Sequence, residues 1–403
     1  MRLALIIVDD EKKASVPVYG TPAVRRLVLL ARRAGWEAVH VIGRKPFSST
    51  FLTDFVPPEM LHVAENLEEG RGLLDQIGVL PEGRVLVMRG NHVLDLFTLE
   101  RLDEAGPDCP LCYMGDGSPV KDWSAMVWLA DREELDRLWS GAALFDAPGA
   151  RRITSPTSLP MVVDGSGAGI AAAEEELIKG LGLATEDHDS FMSRSINRRL
   201  SRPISRALAK TGVTANMVTL FNIAIGLAGA VFLSNGHYWS QLWGSLLFLA
   251  SVILDGVDGE VARLKLQESK LGHYLDIVGD NTVHVAVFAG IAFGLFRLSN
   301  HAVYLEALVF LLGGFGLCAL AVNKTLGHGP DRRGSAESPW LTTLLANRDF
   351  AYLVVVCSLF ARLDWFLFGT AFGAYLFAAI LFVMNSRGGN DTASERGATA
   401  RHA

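Results

Sequence analysis

The chain is poor in cysteine. It has four in 403 residues, Cys109, Cys112, Cys318 and Cys357, too few and too scattered for a disulfide framework. Cys109-Pro-Leu-Cys112 has CxxC spacing, but no second pair completes a zinc site, so both read as ordinary reduced cysteines. The opening stretch is not expected to be a signal peptide. "MRLALIIVDDEKK" has a short apolar run that ends in Asp9-Asp10-Glu11, with no small-residue cleavage site. It reads as a buried first strand, and the N-terminal part is expected to start in the cytoplasm. Basic residues are outnumbered in residues 1–190, which hold 19 Lys+Arg against 30 Asp+Glu; the remainder holds 18 against 13. The first part reads as soluble and acidic and the second as a basic membrane part, and the strongly acidic charge of the first argues against nucleic acid as its partner.

Residues 1–190 alternate short apolar runs with helical patterns. "LALIIV", "EAVHVI", "RVLVMR" and "AMVWLA" read as strands; "PAVRRLVLLARRAG", "LEEGRGLLDQIG", "VLDLFTLERL" and "DREELDRLW" read as helices. The alternation predicts an α/β layer fold with a mainly parallel sheet. "KKASVPVYGTPAVRR" resembles the opening of nucleotidyltransferases that make activated sugars or CDP-alcohols. Lys13, Pro17, Val18, Gly20 and Pro22 match that family, which implies a Rossmann-like domain. The family's Gly-rich loop is replaced by Asp9, Asp10 and Glu11, whose charges would repel a triphosphate. "VMRGNHVLD" resembles the family's "GDH" segment with Asn91 at the metal-binding aspartate, and a neutral amide is a poor magnesium ligand. The expectation is a catalytically degenerate cytidylyltransferase-like domain. The alternative is an active cytidylyltransferase, which would make the chain bifunctional.

Residues 191–212 carry six basic residues and no acid. Ile196, Leu200, Ile204 and Leu208 recur every fourth position, which predicts a basic amphipathic helix in the headgroup layer of membrane lipid, with Pro203 as a point of kinking. A plain basic stop before the first span is the alternative. Residues 213–386 predict an all-α membrane domain of six transmembrane helices, near 214–234, 239–264, 270–297, 302–324, 341–361 and 365–385. Arg263, Lys265 and Lys270, then Lys324, Arg332, Arg333 and Arg348, then Arg387, Arg396 and Arg401 crowd one side. The positive-inside rule puts both termini in the cytoplasm, in a bacterial or archaeal cytoplasmic membrane. Residues 387–403 are polar and small, and are expected to be a disordered tail.

Within this apolar sequence stand Asp255, Asp258, Asp276 and Asp280. The first pair lies near the inner end of span two and the second near the inner start of span three, so all four share one depth. Spacings of three and four put each pair on one helix face. Two antiparallel helices with a short loop can turn those faces towards each other. Four carboxylates converging in a low dielectric call for a cation, and hard oxygen ligands suit Mg2+ or Mn2+. Helix-end acids reaching for water would not require paired spacing at one depth. A cation transporter stays open on the acids alone.

The full pattern is Asp255-x2-Asp258-Gly259-x2-Ala262-Arg263-x8-Gly272-x3-Asp276-x3-Asp280. It resembles the signature of the CDP-alcohol phosphotransferase family at every fixed position, and "TANMVT" resembles that family's "TPNxVT" with Ala215 for proline. The resemblance implies an enzyme that moves a substituted phosphoryl group from a CDP-linked donor to an alcohol acceptor and releases CMP. It implies a two-metal site held by Asp255, Asp258, Asp276 and Asp280, with Asp280 as the base that takes the alcohol proton. Arg263 offers a planar fork for phosphate oxygens, and Gly259, Ala262 and Gly272 are small where nucleotide must approach backbone. Ser269 is a weaker donor-binding expectation. Asn222 lines the site or bonds a neighbouring helix. Arg348-Asp349 reads as a local ion pair. Family members are commonly homodimers.

A nucleotidyltransferase-like domain followed by a basic segment and this signature resembles bifunctional inositol-phosphate cytidylyltransferase/di-inositol-phosphate-phosphate synthases. That arrangement implies CDP-diacylglycerol or a CDP-polyol as donor and a polyol phosphate as acceptor. Arg263, Lys265, Lys270, Arg206 and Arg348 are the basic residues placed to meet such an acceptor.

Overall fold

The computed structural model describes residues 2–44, 56–64, 84–104, 111–114, 127–130, 135, 151–155, 157–185, 196–326 and 350–399. The chain divides into two compact units. The first is Met1–Asp187 with Ser205–Val213 and Glu260–Gln267; the second is His188–Ile204, Thr214–Gly259 and Glu268–Ala403.

In the first unit β1 (Leu3–Val8) is apolar and buried at every position, as a central parallel strand with both faces covered must be. Asp10 then caps α1 (Glu11–Ala14), its side chain accepting from the amides of Lys12 and Lys13. β2 (Pro17–Val18) and β3 (Thr21–Pro22) form a tight hairpin whose two central residues, Tyr19 and Gly20, have φ of 49° and 72°. Positive φ at both is what a type I′ turn requires. Glycine takes it freely, whereas Tyr19 needs its surroundings to hold it there. α2 (Ala23–Arg33) follows, with Val24, Leu27, Val28 and Ala31 on one stripe, all fully buried. Each large apolar side chain so buried contributes on the order of 1.5–3 kcal/mol.

β4 (Ala38–Arg44), β5 (Leu61–Ala64), β6 (Val85–Arg89), β8 (Leu111–Met114), β9 (Val127–Ala130) and β10 (Arg151–Arg152) complete a seven-stranded sheet, in the order β10-β8-β9-β6-β1-β4-β5. β1 is parallel to β4 and β6, with Ile6 opposite Val41 and Met88. The expected α/β domain with a mainly parallel sheet is present. β9 is antiparallel to both β6 and β8, a reversal that an apolar run such as "AMVWLA" cannot disclose. β7 (His92–Val93) pairs antiparallel with β11 (Met161–Val162), and α3 (Leu96–Asp103) and α4 (Gly167–Thr185) finish the layer. The helices expected over 67–78 and 131–139 lie outside the described residues, apart from Leu135, as does Cys109.

His40 on β4 and His62 on β5 stack with ring centroids 5.1 Å apart and share a 2.8 Å hydrogen bond between Nδ1 and Nε2. Burial pushes His40 down to about 4 and holds His62 below its usual value. The folded pair is neutral, so the unfolded chain takes up protons first as pH falls. Stability should be intact above pH ~6.5 and fall as pH drops from there towards ~4. The unfolding midpoint of the full chain, followed between pH 7.5 and 4.5, checks this. His40→Asn should flatten the slope.

The second unit is helical. α5 (Arg198–Ala209) begins in it and ends in the first unit, and Pro203 sits inside this helix. α6 (Ala215–Leu233) starts at Thr214, whose side chain accepts from the amide of Met217. α7 (Tyr238–Lys265), α8 (Lys270–Ser299), α9 (Val303–Leu326), α10 (Phe350–Leu359) and α11 (Leu363–Thr399) follow. Among the described residues four helices are long and apolar enough to cross a membrane: Ala215–Leu233, Tyr238–Lys265, Lys270–Ser299 and Leu363–Ile380. Val303–Cys318 and Phe350–Leu359 are shorter apolar helices where spans four and five were expected, and residues 341–349 lie outside the described residues. α11 runs through Thr399, into the stretch from 387 that the sequence marks as a polar tail.

Small residues let these helices close. A Cβ on Gly290 would stand 2.4 Å from the Ala230 carbonyl oxygen, and one on Gly294 2.2 Å from that of Leu233. Gly290 and Gly294 thus form a small-xxx-small face on α8 against α6. Gly290→Val should cost about 1–3 kcal/mol, read as a lower melting temperature of the purified protein in detergent.

Candidate active site

The signature occupies the last third of α7 and the first third of α8. Ser269 caps α8, its Oγ accepting from the Gly272 amide at 3.0 Å. One helix turn separates Asp276 from Asp280 on α8, and Asp255 lies on α7. The structure brings these three together: one carboxylate oxygen from each lies within 4.8 Å of the others, and all three are partly exposed. At that separation each like-charged pair repels by about 3.5 kcal/mol or more at an effective dielectric of ~20. Three carboxylate oxygens facing one point are a donor set for a hard divalent cation, which removes that repulsion.

Asp258 is not in this group. It is 7% exposed, its Oδ2 accepts from Thr219 Oγ1 at 2.6 Å, and its Oδ1 accepts from the Gly259 amide at 2.6 Å. Thr219 is a residue that the spacing of the acids does not reveal, although it ends the "TANMVT" segment. Asn216 of the same segment also reaches the signature: a Cβ on Gly272 would stand 2.9 Å from Asn216 Oδ1 and 3.1 Å from Ser269 Oγ. Gly272 is thus small for a reason within the chain itself. Arg198, from the basic segment, is the third such residue, with Nη1 3.5 Å from where a Cβ on Gly256 would stand, next to Asp255. Asn222 is buried; its bond to a neighbouring helix is made by its backbone carbonyl, which accepts from Ser251 Oγ at 3.4 Å, and its Oδ1 has no hydrogen bond among the described residues.

Ala262 and Arg263 lie in the last turn of α7, both partly exposed. The helix ends in a Schellman motif. The Gln267 amide reaches the Ala262 carbonyl at 2.8 Å, the Leu266 amide reaches that of Arg263 at 3.2 Å, and Leu266 has φ of 57°. Of the other basic residues expected to face an acceptor, Lys265 is committed elsewhere, donating to the carbonyls of Thr211 and Val213. Arg206 pairs with Glu175. Lys270 is exposed, and Arg348 lies outside the described residues.

The segments expected to form a nucleotide site in the N-terminal domain are internally occupied. The amides that open α1 are taken by the Asp10 carboxylate. Asp9 pairs with Arg89 at 3.3 Å, and Asn91 Nδ2 donates to the Val163 carbonyl at 3.3 Å. Lys13 is exposed.

Residues 212–385 match the family model of CDP-alcohol phosphatidyltransferases. Among curated relatives, a bifunctional IPC transferase and DIPP synthase of Thermococcus kodakarensis is 35% identical over 136 residues, 34% of this chain and 28% of that protein. The chain therefore spans less than a third of that relative's length. Among solved structures, a phosphatidylinositol phosphate synthase of Mycobacterium tuberculosis with CDP-DAG bound is 19% identical, covering 46% of this chain and 92% of that one, with a TM-score of 0.34. A putative glucose-1-phosphate thymidylyltransferase of Bacillus anthracis is 11% identical, covering 43% and 94%, with a TM-score of 0.33. All four spanning-length stretches fall within the matched region, which makes this an integral membrane protein. The signature from Asp255 to Asp280 sits inside the same stretch, so it is residues 212–385, a little under half of the chain, that are similar to the CDP-alcohol phosphatidyltransferase family.

Proposed function

We propose that the chain is an integral-membrane CDP-alcohol phosphotransferase. It takes a CDP-linked donor, CDP-diacylglycerol or a CDP-polyol, and an alcohol acceptor such as a polyol phosphate. The clustering of Asp255, Asp276 and Asp280 at one point carries this reading. In it the membrane domain has six spans, both termini and the site face the cytoplasm, the exposed Ile196, Leu200 and Ile204 of the basic segment rest on lipid, and the protein is a homodimer.

Asp255, Asp276 and Asp280 would hold Mg2+ or Mn2+, with Asp258 behind them. A metal bound there supplies charge neutralisation at the diphosphate and stabilises the leaving CMP oxygen. Arg263 binds donor phosphate oxygens through its two-pronged guanidinium. Asp280 accepts the proton of the acceptor hydroxyl as its oxygen forms a bond to the donor phosphorus nearest the alcohol moiety. The bond from that phosphorus to CMP breaks. Ser269 Oγ, already accepting from Gly272, keeps its proton for a donor oxygen.

The N-terminal domain is catalytically silent in this account, because Asp10 fills the amide cradle and Asn91 replaces a metal carboxylate. An active cytidylyltransferase would instead release pyrophosphate from CTP with a polyol phosphate. The full chain in lipid vesicles, given labelled CDP-diacylglycerol or CDP-inositol and a panel of polyol phosphates, should form a labelled phosphodiester and CMP in equal amounts. It should release no pyrophosphate from CTP. Product without CMP, or no product from any pair, would remove the reading.

A further inference from the structure

The N-terminal domain, read above as catalytically silent, keeps the "PVYGTP" segment and its following helix, and the first unit shows what they touch. Arg26 on α2 is 2% exposed and donates from Nη1 to the Leu264 carbonyl at 2.5 Å and to that of Val18 at 3.5 Å. Leu264 is itself buried, in a cluster with Val18, Tyr19, Ala23 and Leu177. Leu266 packs against the sheet's own core. The hairpin that supplies Tyr19 is held in turn, with Tyr19 Oη donating to the Glu174 carbonyl at 2.9 Å and Glu174 pairing with Lys210 at 2.7 Å.

The last four carbonyls of a helix have no partner within it. Here the Gln267 and Leu266 amides take those of Ala262 and Arg263, and Arg26 takes that of Leu264. A cation at a helix C-terminus is favoured by the macrodipole as well. Burial lowers the Arg26 guanidinium to about 10, which leaves it charged at neutral pH. Leu266 adopts a left-handed conformation that glycine would take without cost, and the packing of its partly buried side chain against the core is the visible compensation.

We propose that the N-terminal domain is a clamp on the signature helix, in which Arg26 is a positioning residue: with Leu264 and Leu266 it fixes the end of α7 and so aims Arg263 at donor phosphate. The clamp accounts for a nucleotidyltransferase fold that keeps its packing residues without its catalytic ones. Its catalytic consequence rests on the phosphotransferase reading above; its structural consequence does not.

The test is hydrogen exchange of the full chain in nanodiscs, read on the peptide over 262–270, beside CMP release as a function of donor concentration. Arg26→Met should speed exchange of that peptide about tenfold or more, with β1 still protected, and raise KM for the CDP-donor more than it lowers kcat. Arg26→Lys should restore part of both. Leu266→Gly decides by sign. A turn held only by its own cap is relieved of strain and exchanges more slowly, whereas a clamped turn loses its anchor and exchanges faster. Slower exchange in Leu266→Gly, or unchanged exchange in Arg26→Met, overturns the clamp. Should the wild type release no CMP from any donor, the phosphotransferase reading fails while the exchange comparison still decides.

Discussion

Asp276→Ala should reduce CMP release to background, a loss on the order of 10³-fold or more, and Asp255→Ala should do the same. The expectation follows from the mutual approach of their oxygens within 4.8 Å, a charge arrangement that is costly unless a cation occupies it. Both substitutions should weaken Mn2+ binding to the purified chain, measured by electron paramagnetic resonance of the free ion. Asp280 separates two roles. Asp280→Asn keeps an oxygen ligand and removes the basic group, so it should bind Mn2+ nearly as well while losing about 10²–10⁴ in kcat. If Asp280→Asn turns over at the wild-type rate, the proton goes elsewhere.

The second large effect concerns Asp258. Its burial and its 2.6 Å hydrogen bond from Thr219 set it apart from the other three. Asp258→Ala should abolish turnover, and Thr219→Val should grade the effect. That change keeps the shape of the side chain and leaves a buried carboxylate short of a donor, a penalty of about 1–3 kcal/mol, or roughly 10–100-fold in rate. Thr219→Ser keeps the hydroxyl and should stay within a few-fold of wild type. Equal activity in Thr219→Val and Thr219→Ser would show that this hydrogen bond does not position Asp258 for the reaction.

Much of the fold was legible because it rests on period and hydrophobicity. "LALIIV" is apolar at six successive positions and is a strand buried at all six. The stripe Val24, Leu27, Val28 and Ala31 marks α2 without ambiguity. Strand direction is not written in a strand, so antiparallel β9 could only be seen in the pairing. The approach of Asp255 to Asp276 and Asp280 was legible from spacing on two helices joined by a short loop. The separate setting of Asp258 was not, because it depends on a hydroxyl from α6, 39 residues earlier. Arg198 and Asn216 lay in segments the sequence marks as basic or family-like, yet nothing local says that they meet Gly256 and Gly272. Lys265 and Arg206, marked by charge alone as acceptor contacts, are spent on carbonyls and on Glu175.

The most direct measurement is CMP release from a CDP-linked donor by the full chain in vesicles, titrated with Mn2+ after EDTA treatment. The account predicts no CMP in EDTA, a saturable rise with added Mn2+, and no rise in Asp276→Ala. Release of CMP that EDTA leaves unchanged would contradict it, as would Mn2+ crossing the vesicle membrane with no nucleotide consumed.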